Sequence, residues 1–193
     1  MSSKKLENYL SRQFEKRLAT SRVEIEQKYR IKKPNAIRSK LIRGGAVKIK
    51  SGYEYNEIFD INGKLKKRKQ MLRLRRLGNK KSWLTLKGPR QKGNHKKRME
   101  VESSVQYESM RHILELLGFR ISETYAKQRE EYRFGPCVVC IDHIESHGWF
   151  VEIEGSAKDI SRTAKKLGLS GKNREKLSYR KLVKLAAAQL IQN

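Results

Sequence analysis

The run Val23-Glu24-Ile25-Glu26-Gln27-Lys28-Tyr29 sets charged side chains at every second position, with Val, Ile and the Tyr ring on the alternate side. That is the period of a strand. Glu24, Glu26 and Lys28 then project from one face, about 7 Å between successive same-face residues. Near the other end of the chain, Val151-Glu152-Ile153-Glu154 repeats the paired-carboxylate half of the pattern. Four carboxylates on strand faces can hold a hard cation.

Alone, each run would read as the wet face of an amphipathic antiparallel strand. Other runs share the pattern: Arg73-Leu74-Arg75, Leu84-Thr85-Leu86-Lys87, Arg98-Met99-Glu100-Val101-Glu102 and Lys127-Gln128-Arg129. Asp142 follows the apolar run 138–141 and could project from that strand. Same-face side chains of both signs on successive strands suit a closed barrel with a polar lumen, where all inner faces converge on one ligand. That ligand should be a polyanion with its cations. Arg and Lys would grip phosphate oxygens, and Glu and Asp would hold a divalent metal.

The ordered set Glu24-x-Glu26-x-Lys28, Phe59-Asp60, Arg73-Leu74-Arg75, Leu86-Lys87-Gly88-Pro89, Arg98-x-Glu100-x-Glu102, Lys127-x-Arg129, Asp142, Glu152-x-Glu154 and Ser178-Tyr179-Arg180 resembles the CYTH family in order and spacing. That family, the triphosphate tunnel metalloenzymes, includes class IV adenylyl cyclases, thiamine triphosphatases and inorganic triphosphatases. The resemblance runs from about residue 22 onward. It implies an α+β fold: a closed antiparallel barrel of about eight strands with covering helices, spanning 21–193 behind an N-terminal helical extension at 1–20.

The resemblance also implies roles. Glu24, Glu26, Asp142, Glu152 and Glu154 match metal ligands, and oxygen-only ligands suit Mg²⁺ or Mn²⁺. Lys28, Arg73, Arg75, Lys87, Arg98, Lys127 and Arg129 match the phosphate grip. Glu24, Glu26, Lys28 and Asp142 are the catalytic candidates, while Glu100 and Glu102 fit the lumen without an assigned role. The implied activity is that of a class IV adenylyl cyclase, converting ATP to cyclic AMP and pyrophosphate. An inorganic, thiamine or RNA 5′-triphosphatase uses the same site, and a polyphosphate- or nucleic-acid-binding protein without catalysis is the rival from another class. Ile58 stands where an aromatic residue is frequent, and the basic tracts 64–69 and 92–98 are unusual for the family.

A chain of 193 residues has the size of one domain. Its 34% charged residues exceed common usage, yet apolar residues recur at strand and helix periods, which excludes wholesale disorder. The net charge of +26 is far more than one triphosphate requires, and would draw polyanions, RNA included, to the outer surface. Cys137 and Cys140 lie three apart on an expected strand, so their thiols point to opposite faces and read as buried residues in a reducing compartment rather than a zinc pair. No leader-like or membrane-length apolar run is present, so a soluble cytoplasmic protein is expected.

Several elements must position these residues. Leu6, Leu10, Phe14 and Leu18 recur every fourth residue and predict a helix over about 3–19, which could dock on the barrel, bind a partner or dimerise. Strands are expected at 22–31, 47–50, 53–61, 71–77, 83–87, 97–105, 119–133, 137–144 and 148–154, with helices near 35–42, 107–117, 156–166 and 178–190. Asn62-Gly63 signals a hairpin-like turn and 64–69 a solvated loop. Ser156 is the expected cap of its helix and Gly168 its stop.

Overall fold

The computed structural model describes residues 22–191 apart from 80, 92, 94 and 146, with side chains up to Leu185. The helix expected at 3–19 lies outside the described residues. Strands β1 (Arg22–Ile31), β2 (Val47–Asp60), β3 (Met71–Leu77), β4 (Lys81–Lys87), β5 (Lys96–Ser104), β6 (Arg120–Phe134), β7 (Cys137–Ile144) and β8 (Gly148–Glu154) all pair antiparallel. They close in the order β1-β5-β4-β3-β2-β6-β7-β8. The seam is made by β1, which meets β5 over Arg22–Glu26 and β8 over Glu26–Ile31.

Alternation decides what each face sees. Inward positions carry the charged residues, and the outward apolar positions are hidden by helices, as a barrel with a polar lumen requires. Helices α1 (Pro34–Arg43) and α4 (Ala157–Leu167) lay Ile37, Leu41, Ile160, Ala164 and Leu167 over Tyr29, Val139, Ile141, Val151 and Ile153 of β1, β7 and β8. Helix α3 (Tyr107–Leu116) sets Leu114 against Phe59, Leu72 and Leu74. From α5 (Tyr179–Ile191), Tyr179 and Leu182 enter a third cluster with Ile58, Tyr125, Ile144 and Phe150. A short 3₁₀ turn, Gly171–Asn173, precedes α5.

Local signals act as expected at α4. The Ser156 hydroxyl accepts a hydrogen bond from the Asp159 backbone N–H at 3.2 Å, and Gly168 takes the left-handed conformation, φ 74°, that ends the helix. Both cysteines are buried and free. No helix among the described residues is long and apolar enough to cross a membrane.

Two expectations are corrected. Residues 47–61 do not form two strands broken at Ser51-Gly52. They form the single strand β2, which pairs with β6 from Val47 to Asp60 through register shifts between Lys48 and Lys50 and between Ile58 and Phe59. Gly52 serves packing rather than a turn, since a Cβ there would stand 3.3 Å from the Leu77 side chain. Residues 64–69 are not a plain loop, because Lys64–Lys67 forms the one-turn helix α2. The Asp60 carboxylate organises it, accepting from the backbone N–H groups of Ile61, Leu65 and Lys66 at 2.7–3.1 Å. Asn62 and Gly63, φ 51° and 72°, supply the left-handed turn into that helix rather than a hairpin.

Candidate active site

The inward faces enclose a cavity of about 1270 Å³. Every residue expected at the site lines it except Asp142. Glu24 and Glu26 of β1 meet Glu154 of β8 across the seam, and one oxygen from each lies within 4.8 Å of the others. Register explains this: Glu26 is the Cα partner of Glu154, and Glu24 precedes it on the same face.

The three carboxylates differ in their partners. Lys87 Nζ reaches Glu24 at 2.7 and 2.9 Å, and Lys96 Nζ stands 3.3 Å from Glu26. Glu154 makes no ion pair among the described residues, and burial together with the neighbouring Glu24 carboxylate pushes its pKa up to about 7. A group of oxygens that repel one another and cannot all stay ionised without added positive charge fits a hard divalent cation.

Glu152 and Asp142 lie elsewhere. Glu152 pairs with Lys28 at 3.3 Å and Arg129 at 2.6 Å, and those cations with Lys127 hold its carboxyl well below the usual range against the pull of burial. Asp142 sits behind the cavity wall, fully buried, accepting from Arg129 at 2.6 and 2.7 Å, Lys127 at 3.2 Å and the Tyr179 hydroxyl at 2.7 Å. Its place among four donors makes it an anchor for the cationic wall.

The basic residues converge from β1, β3, β4, β5 and β6. Arg75 is held by Glu54 and Glu102, at 3.4 and 3.0 Å. Thr85 donates to Glu102 at 2.7 Å, and Lys87 also reaches Glu100 at 2.9 Å. Arg73 is different. Its nearest carboxylate oxygen, on Glu102, is 3.9 Å away, its contact to the Tyr125 hydroxyl is 3.5 Å, and its buried Nε has no hydrogen-bond partner among the described residues. The Arg75 Nε is likewise unpaired. Two buried guanidinium groups with unused donors leave room for an anion to complete them.

Lys28 spans the wall and the C-terminal segment. Its Nζ lies 3.3 Å from the Tyr179 ring centroid and donates to the Leu177 carbonyl at 3.3 Å. Burial lowers its pKa to about 8, with Glu152 opposing. Lys66 of α2, Lys69 just after it, Arg90 and Lys184 of α5 are among the exposed cations of the lining, and Arg98 is half-buried beside them.

Sequence reading missed Glu54, which is fully buried and tied to Arg75, to Lys127 at 3.5 Å and to Asn56 at 3.1 Å. Cations hold its carboxyl far below the usual range although burial works the other way. The signal was available in Glu54-Tyr55-Asn56, an alternate polar pair within a strand.

One pH dependence follows from Glu154. A divalent cation taken up by Glu154 would have to displace its proton between about pH 6 and 8, so apparent affinity for added metal should rise roughly tenfold across that range. The stability contribution of the raised carboxyl in the metal-free protein has the opposite sense: fully present below the unfolded value near 4.5, it is lost as pH rises through about 7. Melting curves with and without Mn²⁺ at pH 6 and pH 8 check this, the metal-induced rise being larger at pH 8.

The closed strand order and the charged cavity define a triphosphate tunnel barrel. The chain belongs to the CYTH family, whose domain model matches residues 22–179. A Methanocaldococcus jannaschii protein named as a candidate adenylate cyclase is 32% identical over 148 residues, covering 75% of this chain and 83% of that one. A Vibrio parahaemolyticus structure, also named as a candidate adenylate cyclase, superposes with TM-score 0.75 at 20% identity, covering 84% and 98% of the two chains. A Hippeastrum structure described as a candidate adenylyl cyclase that reveals a dominant triphosphatase activity has TM-score 0.58 and 19% identity, covering 77% and 91%.

Proposed function

We propose that this protein is a divalent-metal-dependent enzyme acting on a nucleoside triphosphate, converting ATP to cyclic AMP and pyrophosphate. The observation that carries the reading is the cluster Glu24, Glu26 and Glu154 lining one cavity with Arg73 and Arg75, whose buried Nε donors have no hydrogen-bond partner among the described residues. The curated relative's name supports the cyclase reading. So does an apolar corner of the cavity, formed by Ile58, Met71, Tyr125 and Val183, which offers a surface to a group beyond the phosphates.

Glu24, Glu26 and Glu154 would hold Mg²⁺ or Mn²⁺, while Glu152, the next inward residue of β8, is engaged by Lys28 and Arg129. When bound, the cation neutralises phosphate charge and polarises the reacting oxygen. Arg73, Arg75, Lys87 and Arg129 fix the triphosphate oxygens, so that the ribose 3′-oxygen lies in line with the α-phosphorus and charge on departing pyrophosphate is met by cations already in place. Lys28 and Lys127 act from the Tyr179 side, and Asp142 keeps Arg129 and Lys127 pointed inward. Arg98 extends the grip toward the exposed cations of the lining. The excess positive surface would concentrate polyanions near the cavity without taking part in the chemistry.

A second reading, hydrolysis of a triphosphate, is favoured by the Hippeastrum description. Incubation with each metal and, separately, ATP, tripolyphosphate and thiamine triphosphate, followed by product identification by mass, separates the two. Cyclic AMP with pyrophosphate is the expected result. Orthophosphate from any of the three selects the second reading, and no consumption by folded protein removes both.

A further inference from the structure

Residue 27 breaks the pattern of the outward face of β1. Its neighbours there, Ile25, Tyr29 and Ile31, are apolar and pack beneath α1 and α4, whereas Gln27 is only 4% exposed and polar. Among the described residues its amide makes one hydrogen bond, a long donation of 3.4 Å to the Lys28 carbonyl. A buried amide so poorly used needs a reason.

The reason lies in the sheet. Pairing of β1 with β5 ends at Glu26 and Lys96, and the chain after the 3₁₀ turn takes over beyond it, with Tyr29 bridging Arg174 and the Glu175 N–H donating to the Lys28 carbonyl at 2.9 Å. The interval leaves an open cavity on the surface, about 350 Å³, with the buried Gln27 among its lining residues. Arg90, His95, Lys96, Arg174 and Lys176 also line it. Its carboxylate, Glu175, is already engaged by Arg30 at 3.4 Å and by the Leu177 N–H at 2.8 Å.

We propose that this cavity is a second anion site, outside the tunnel, for a small phosphate-type oxyanion, orthophosphate or pyrophosphate. Among the described residues Arg90, Arg174 and Lys176 make no ion pair, while Lys96 is paired with Glu26. Burial and the nearby Arg174 lower the His95 pKa, and burial and Arg98 lower that of Arg90, so an oxyanion would relieve repulsion as well as accept hydrogen bonds. The Gln27 amide supplies a donor at a position where an apolar residue would serve the fold better.

The site also communicates with the tunnel. Arg90 and Lys96 line both cavities, and Lys96 is the ion partner of Glu26. An anion in the outer cavity draws on the Lys96 charge and loosens its hold on Glu26, leaving that carboxylate freer for a cation. The anion site itself stands whatever reaction the tunnel performs.

The test uses His95 as a local reporter, one of four histidines resolved by their imidazole signals in labelled protein. Orthophosphate and pyrophosphate are titrated against the full chain at constant ionic strength, with chloride as the control. The His95 signal should move saturably in the native protein and in Arg73→Ala, whose lesion is in the tunnel. In Arg174→Ala and in Gln27→Leu, both checked for unchanged melting, the apparent affinity should fall about tenfold, as loss of a charge-assisted contact predicts. Three outcomes overturn the proposal: an equal response to chloride, an unaltered response in Arg174→Ala, or loss of the response in Arg73→Ala.

Discussion

Glu154→Gln should lose triphosphate turnover by at least about a hundredfold, equivalent to about 3 kcal/mol of transition-state stabilisation at 1.36 kcal/mol per factor of ten. At the same time its metal-free form should be harder to unfold than the native protein. The two effects share a cause. Glu154 is the member of the acidic cluster without a cation beside it, and it ionises near pH 7 only against the charge of Glu24. An amide of the same shape removes that repulsion, worth on the order of 1–2 kcal/mol at pH 8 for a partly exposed group, or a melting rise of about 2–4 °C per kcal/mol. It also removes an anionic oxygen that a hard cation requires. Calorimetry of both forms with and without Mn²⁺ checks the reading: the variant should start higher and gain less from metal. Glu26→Gln should show the same loss of turnover without the gain in stability, since its repulsion is already met by Lys96 at 3.3 Å. Full activity in either variant would remove that residue from the metal site.

Arg73→Ala should lower kcat/KM by roughly 10- to 150-fold, with kcat and KM both affected, while melting changes little. Charge-assisted contacts to phosphate are worth about 1.5–3 kcal/mol; they act in the bound ground state and strengthen as charge develops in the transition state, so their loss touches KM and kcat together. Arg73 is separable from the fold because its contacts within the protein are long, 3.5 Å to Tyr125 and 3.9 Å to Glu102. Arg129→Ala makes the contrast. Removing Arg129 leaves Asp142 and Glu152 short of a partner that each now holds at 2.6 Å, and orphaning such buried charge costs about 3–5 kcal/mol. Steady-state kinetics paired with thermal unfolding distinguish a group used on substrate from one used on the protein. Arg73→Lys should recover only part of the loss, since an ammonium cannot present the two-pronged guanidinium donor. Equal destabilisation of Arg73→Ala and Arg129→Ala would refute the distinction.

The barrel and its polar interior were legible because alternation at period two survives in almost every strand, from Glu24-x-Glu26-x-Lys28 to Glu152-x-Glu154. Alternation tells which side chains face inward and nothing about which strands face each other across the lumen. Glu24 therefore gave no sign that its counter-ion would be Lys87, on β4, nor Glu26 that Glu154 would be its opposite number. The five acidic residues grouped by resemblance separate by the same logic: three gather at the seam, Glu152 turns to Lys28, and Asp142 withdraws behind Arg129. Local chemistry misled where tertiary pairing was stronger. Ser51-Gly52 looks like a turn, but a long ladder to β6 carries the chain straight through it. The tract 64–69 is solvated as its composition says, and only its helical turn was hidden, because the turn is nucleated by Asp60, a residue outside the tract.

The three clustered carboxylates come from the first and last strands of the barrel, which meet only when β1 finds β8. Every other neighbouring pair except β1–β5 and β2–β6 is consecutive in the chain, so the seam is the contact with the greatest loop to close and the one that favours late assembly. A partly made chain that lacks β8 holds two of the three carboxylates and a barrel with a free edge. A cation held there, as proposed, would work as a rivet across that edge: acting on contacts formed after the folding barrier, it would retard opening of the finished barrel far more than it speeds its making.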